Sequence, residues 1–170
     1  MNNSRREISY DCQYFKGDRP CVWHKREGVI CECEHYEPVR GQLLIIKLDA
    51  VGDVLRTTCL LPEIARRWAG YRVTWLTRDS AAPLLQNNPY LHSVVSYGDD
   101  AMLLLASQAF DVVINLDAAD TSARLAASAR AGEKIGYVMD RNGYVQPTND
   151  SAEEWLRLGV FDDLKKANEQ

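Results

Sequence analysis

Two groups of residues in this 170-residue chain have types and spacings that suit them for chemistry. The first is Cys12-x8-Cys21-x2-His24-x6-Cys31-x-Cys33-x-His35, which places six soft or borderline donors within 24 residues. Four such donors complete a tetrahedral zinc site, and a segment this short can fold on its metal. Cys21-x2-His24 is a common ligand step. Cys31-x-Cys33 is less usual, and its single spacer strains a disulfide between the two sulfurs. The expected ligands of a structural zinc are therefore Cys12, Cys21, Cys31 and Cys33, with His24 as the substitute. An iron–sulfur centre, or cysteines that are unliganded or disulfide-bonded, are the competing readings. His35 reads as a packed or exposed ring, and Cys59 as a small buried hydrophobe.

The second group is the loop Asp49-Ala50-Val51-Gly52-Asp53, with a further acidic loop at Asp117–Asp120. A carboxylate at the mouth of a loop can take a proton from a bound hydroxyl, or simply satisfy free N–H groups at a helix start. Which of these applies depends on the elements around it. Leu43–Leu48 is a nearly continuous apolar run of the kind required by a parallel strand covered on both faces. Gly52–Trp68 follows helical spacing, with Leu60, Ile64 and Trp68 on one stripe. Tyr71–Thr77, Ser93–Tyr97, Asp111–Leu116 and Lys134–Val138 read as further strands. Ser80–Leu85, Asp100–Ser107 and Thr121–Ala131 read as the helices between them. Asn142-Gly143 signals a tight turn, and Ser151–Leu158 with Asp162–Ala167 close the chain as helices.

This alternation implies a doubly wound parallel α/β sheet of Rossmann-like kind, preceded by the Cys/His-rich segment. The expected divisions are a leader over 1–41, an α/β domain over 42–150 and a helical tail over 151–170. With strand order 3-2-1-4-5, the ligand crevice falls where the order reverses, beyond the first and fourth strands. Both acidic loops stand there. DAVGDV holds a single glycine, so neither NAD nor FAD is expected, and neither a P-loop nor a GxSxG elbow is present.

Composition bounds the partners. The chain is 46% hydrophobic and 26% charged, with a net charge of −4, which argues against a nucleic-acid binder held by overall positive charge. Its apolar runs fall far short of a bilayer span, and no apolar stretch follows the charged start, so a reducing cytoplasm is the expected location.

The run Leu43–Pro62, LLIIKLDAVGDVLRTTCLLP, resembles the opening of glycosyltransferase family 9, the lipopolysaccharide heptosyltransferases. The resemblance continues through VTWLT, LLQNNPYL, FDVVINLD and the tail EEWLRLGVFDDLKKAN, covering about Gln42 to Gln170. The leader resembles one carried by a subset of that family. The resemblance implies an inverting enzyme of two-domain GT-B architecture, of which this sequence is the N-terminal, acceptor-side half. A C-terminal half binding the nucleotide sugar is implied beyond it, and without that half no turnover is expected. It also implies Asp53 as general base, no obligatory divalent metal in catalysis, and a lipid-linked anionic saccharide acceptor met at the cytoplasmic face of the inner membrane. Asp49, Gly52, Arg56, Thr57, Arg78 and Asp117 are the candidate acceptor-binding residues, the arginines because a guanidinium grips carboxylate or phosphate bidentately. The competing reading is a non-catalytic, zinc-stapled α/β module that binds a carbohydrate or a protein.

Overall fold

A computed structural model describes residues 7–168; residues 1–6 and 169–170, the outer ends of the expected leader and tail, lie outside the described residues. Six strands form one sheet: β1 (Gly41–Ile46), β2 (Tyr71–Thr77), β3 (Ser93–Ser96), β4 (Ala109–Asn115), β5 (Arg130–Met139) and β6 (Val145–Pro147). Their order is β3-β2-β1-β4-β5-β6; all neighbouring pairs are parallel except β5 with β6. The expected 3-2-1-4-5 order and its reversal between β1 and β4 are both present.

The apolar run of β1 is continuous because the sheet is covered on both sides. Alternate side chains of a strand face opposite ways. Leu43 and Ile45 join Val54, Leu61, Ile64 and Trp75 in one core layer. Leu44 and Ile46 join Ala101, Leu105, Leu125 and Ala126 in the other. All four β1 residues are fully buried, and each contributes about 2 kcal/mol of apolar transfer energy.

The helices differ from expectation in one place that matters. The single helix expected over Gly52–Trp68 is broken into α2 (Val51–Thr57), a 3-10 turn at Thr58–Leu60 and α3 (Leu61–Arg67). Pro62 is the cause: it has no N–H to bond back into the preceding turn, but it suits the first turn of a new helix. The break rotates the apolar stripe, so Leu61 is buried in the core while Leu60 is exposed. The remaining helices are α1 (Val22–Glu27) in the leader, α4 (Ala82–Leu85), α5 (Asp99–Ser107), α6 (Asp120–Ser128), α7 (Asp150–Val160) and α8 (Asp162–Asn168). The expected turn joins β5 to β6: Gly143 takes φ 86°, and Asp140 Oδ1 accepts from the N–H groups of Asn142 and Tyr144 at 2.8 Å each.

The described leader contributes no buried hydrophobic residue; the cores begin at Leu43. Polar contacts seat it on the rim of the sheet where the strands begin. Gln13 Nε2 donates to Gly70 O at 2.7 Å, and the Arg40 N–H donates to the same carbonyl at 2.9 Å. The Arg72 guanidinium donates to the carbonyls of Cys12, Gln13 and Phe15, at 2.8, 3.3 and 3.4 Å.

Candidate active site

At the opposite rim, where the strands end, an open cleft of about 980 Å³ lies over β1, β4 and β5. Asp53 stands on its wall because β1 delivers the chain to the crevice and α2 begins there at once. Asp53 is the third residue of α2, and its side chain is 40% exposed. Arg56, one turn on, donates to the Asp53 carboxylate, as does the backbone N–H of Ala50, the residue that caps the helix. These contacts hold the Asp53 carboxyl below the ordinary 3.8, the Arg56 hydrogen bond being the largest cause. Asp53 is thus an ionised, accessible carboxylate at a cleft, the condition required of a proton acceptor, although its depressed pKa makes it a weaker base.

Arg56 and Thr57 line the same cleft. The Arg56 side chain is 82% exposed, so it can reach an anion, while the Thr57 hydroxyl donates inward to Asp53 O at 2.7 Å. Gly52 is exposed at the helix start, and a Cβ built there would meet nothing within 4 Å. Gly52 and the other candidates lie outside the cleft lining. Asp49 and Arg78 pair with each other at 2.6 Å beyond the ends of β1 and β2, and Arg78 also lies 5.3 Å over the Tyr97 ring. Asp49 holds the Arg78 pKa above its ordinary value. Asp117 is nearly buried, with one oxygen bound to Lys47 Nζ and the other accepting from the Leu48 N–H at 2.7 Å. It ties the end of β1 to the end of β4.

Several cleft residues escaped the sequence reading. Lys47 is buried at the end of β1 and donates to both Asp117 and the Asp49 carbonyl. Its signal was a lone cation inside LLIIKL. Asn115 is 1% exposed; its side chain donates to the carbonyls of Asp117 and Tyr137 and accepts from the Asp117 N–H. Gly136 sits on the cleft floor at φ 102°, where a Cβ would fall 1.9 Å from Asn115 O. Tyr137, Asn149, Ser151 and Trp155 complete the far wall, and Trp155 is 72% exposed. These positions depend on β5 and α7 folding back beside β4, which no local spacing announces. Cys59 is exposed and lines the cleft, where the sequence suggested burial; the 3-10 turn ahead of Pro62 swings it outward.

In the leader, Cys12, Cys21, Cys31 and Cys33 line a single cavity of about 250 Å³ together with His24 and His35. All are free thiols. Among the described residues, the one donor group whose ligand atoms lie within 4.8 Å of one another is Glu27, Glu34 and His35.

No protein-family profile and no curated protein matches this sequence. Among solved structures, the chain is similar to a glycosyl transferase family 9 protein from Veillonella parvula, with TM-score 0.53 and 19% identity over 73% of this chain and 41% of that one. It also matches E. coli heptosyltransferase WaaC with ADP, at TM-score 0.48 and 19% identity over 56% of this chain and 36% of that one. A third match is E. coli ADP-heptose lps heptosyltransferase II, at TM-score 0.49 and 19% identity over 56% of this chain and 30% of that one. The Veillonella structure superposes on more of the chain than the two E. coli structures do, and at this identity it speaks to fold. The chain therefore has the Rossmann-like α/β fold of a family 9 glycosyl transferase structure and spans less than half the length of that protein.

Proposed function

We propose that this chain is the acceptor-side half of an inverting glycosyltransferase, with Asp53 as the general base. The observation that carries the reading is the position of Asp53: an ionised carboxylate on the wall of an open cleft, at the start of α2, where the strand order reverses. It coincides with the GDVLRTT element on which the family resemblance rests. In this reading the acceptor sugar lies in the cleft with its attacking hydroxyl on Asp53, which takes the proton as the oxygen bonds to the anomeric carbon. The diphosphate leaves from the opposite face, and inversion follows. Arg56 offers a bidentate grip for a phosphate or carboxylate on the acceptor, and Gly52 leaves room for a saccharide against the helix start.

The donor is a nucleotide sugar, held by a second domain that faces this cleft. Trp155, Val160, Phe161 and Leu164 leave apolar side chains exposed on α7 and α8, which supports a neighbouring domain against the tail. Heptose transfer to a lipopolysaccharide-type, lipid-linked acceptor on the cytoplasmic side of the inner membrane is the activity we assign. Among the described residues no helix is long and apolar enough to cross a membrane.

The test is a titration of the chain with a phosphorylated or carboxylated core oligosaccharide, followed by amide NMR. Saturable shifts at Asp53, Arg56, Thr57 and Trp155, weakened in Arg56→Ala, are expected. Shifts absent from the cleft and confined to the leader cavity would favour the non-catalytic binding module instead.

A further inference from the structure

We infer that the leader is a structural metal module, in which Cys12, Cys21, Cys31 and Cys33 bind one zinc ion that clamps residues 7–40 to the rim of the sheet remote from the cleft. The inference stands apart from the glycosyltransferase reading.

The first observation is convergence. The four cysteines lie on different turns of a segment with little regular structure, yet every one of them borders the same cavity, and none is in a disulfide. The second is the absence of a hydrophobic core beneath the described leader, which surface hydrogen bonds and ring contacts alone hold in place. Not one described leader residue before β1 is a buried hydrophobic, and regular structure is confined to the short α1 and one isolated bridge, Cys12 to Pro38. Fixing that many residues costs conformational entropy that apolar burial does not offset here. Small units of this kind are held by disulfides or by a metal. The Cys31-x-Cys33 spacing disfavours a disulfide between its members, and all four leader cysteines are free in this structure, which favours the metal.

Local geometry agrees. Cys21 caps α1, and the His24 N–H donates to its sulfur at 3.4 Å, which fixes the sulfur at the helix start. Between Cys31 and Cys33, Glu32 takes φ 69°, a left-handed conformation that non-glycine residues hold where the surroundings over-determine it. A tetrahedral thiolate site needs sulfurs ~3.8 Å apart. Among the described residues no three of these sulfurs lie within 4.8 Å of one another, so binding the metal requires the four cysteines bordering the cavity to draw together.

The rival donor group is Glu27, Glu34 and His35. Its glutamates are exposed, Glu27 already pairs with His35 Nε2 at 2.7 Å, and the His35 ring is stacked on Trp23 at 3.8 Å. Three hard or borderline donors at the surface hold zinc less well than four thiolates. His24 is the available substitute: the Val29 carbonyl accepts from Nδ1 at 2.7 Å, so Nε2 keeps its lone pair.

The site would act on the fold rather than on the reaction. Arg72 on β2 donates to the carbonyls of Cys12, Gln13 and Phe15, so a fixed Cys12 also fixes the hinge between leader and sheet. The cleft lies at the other end of the strands, about 20 Å away along a six-residue β1.

The chain purified without chelator is to be analysed for metal by mass spectrometry, then stripped and reloaded with cobalt(II). One zinc per chain, and a thiolate-to-cobalt charge-transfer band in the near ultraviolet, are expected. The band is retained in Cys59→Ser and in Glu34→Gln and is lost in Cys31→Ser/Cys33→Ser. Amide exchange of the wild-type chain should quicken over residues 7–40 on zinc removal, while the amides of β1 and β4 stay protected. A cobalt spectrum without the thiolate band, or one abolished by Glu34→Gln, would move the site to the carboxylate group and overturn the inference. Intramolecular disulfides found in the freshly purified chain, or the absence of any metal, would overturn it as well.

Discussion

The neighbours of Asp53 keep it charged, and that dependence can be measured. Arg56 is the largest cause of its lowered pKa, so Arg56→Gln should move the Asp53 titration upward toward the ordinary aspartate value, read from the carboxyl carbon shift by NMR. An unchanged midpoint would mean the ion pair does not form in solution. The sign for stability follows. A carboxylate depressed by folding stabilises the native state above its unfolded pKa and loses that contribution as pH falls through the folded one. The wild-type α2 start should therefore withstand acid further than the Arg56→Gln start. Gly52 separates fold from function at the same helix. A Cβ there meets nothing in the protein, and alanine favours a helix over glycine by about 0.5–1 kcal/mol. Gly52→Ala should keep or raise Tm and yet weaken acceptor binding at least ~10-fold, equivalent to about 1.4 kcal/mol of lost contact. Unchanged binding would place the saccharide elsewhere. The place of Asp53 at the crevice follows from the sequence because its loop and its helix are adjacent in the chain. Those of Lys47 and Trp155 do not, since what brings them to the cleft is pairing between distant segments.

The elements hold the site through two tight junctions. The Lys47–Asp117 pair joins the ends of β1 and β4 with both partners nearly buried. Removing one charge from such a pair strands the other, so Asp117→Asn should cost about 3 kcal/mol in denaturant unfolding, and Lys47→Met/Asp117→Leu together should recover much of it. A loss under ~0.5 kcal/mol for the single variant would show the pair to be solvated. The second junction is Gly136, where β5 comes against the Asn115 carbonyl. Gly136→Ala forces a Cβ into that oxygen at a positive φ, and should lower stability by at least about 2 kcal/mol, visible as a drop in Tm of roughly 4–8 °C. The strands, most helices and the β5–β6 turn were readable because their signals are local: continuous apolar runs, helical spacing, Asn-Gly. The break at Pro62 was misread because the apolar spacing runs through it, and only the missing N–H shifts the register. That shift decides that Leu61 packs in the core while Cys59 and Leu60 face the cleft.

At the scale of the molecule, the two chemically distinctive segments sit at opposite ends of the same strands. The leader grips the rim where β1 and β2 begin; the cleft opens where β1 and β4 end. The acceptor-side account therefore rests on the cleft alone and does not depend on whether the leader binds a metal. The fold class and the reversal point followed from the βα alternation, because parallel connections leave few topologies open. The seating of the leader did not, because its contacts are hydrogen bonds from Gln13, Arg40 and Arg72 to carbonyls, which no sequence pattern encodes. The central claim is that Asp53 takes the proton from the acceptor hydroxyl. It is tested most directly by measuring sugar transfer from a nucleotide sugar to a core saccharide, using this chain together with a donor-binding domain and comparing wild type with Asp53→Asn. The account predicts that kcat falls at least ~100-fold while acceptor affinity and Tm stay close to wild type. Transfer by the Asp53→Asn protein within a few-fold of wild type would contradict it.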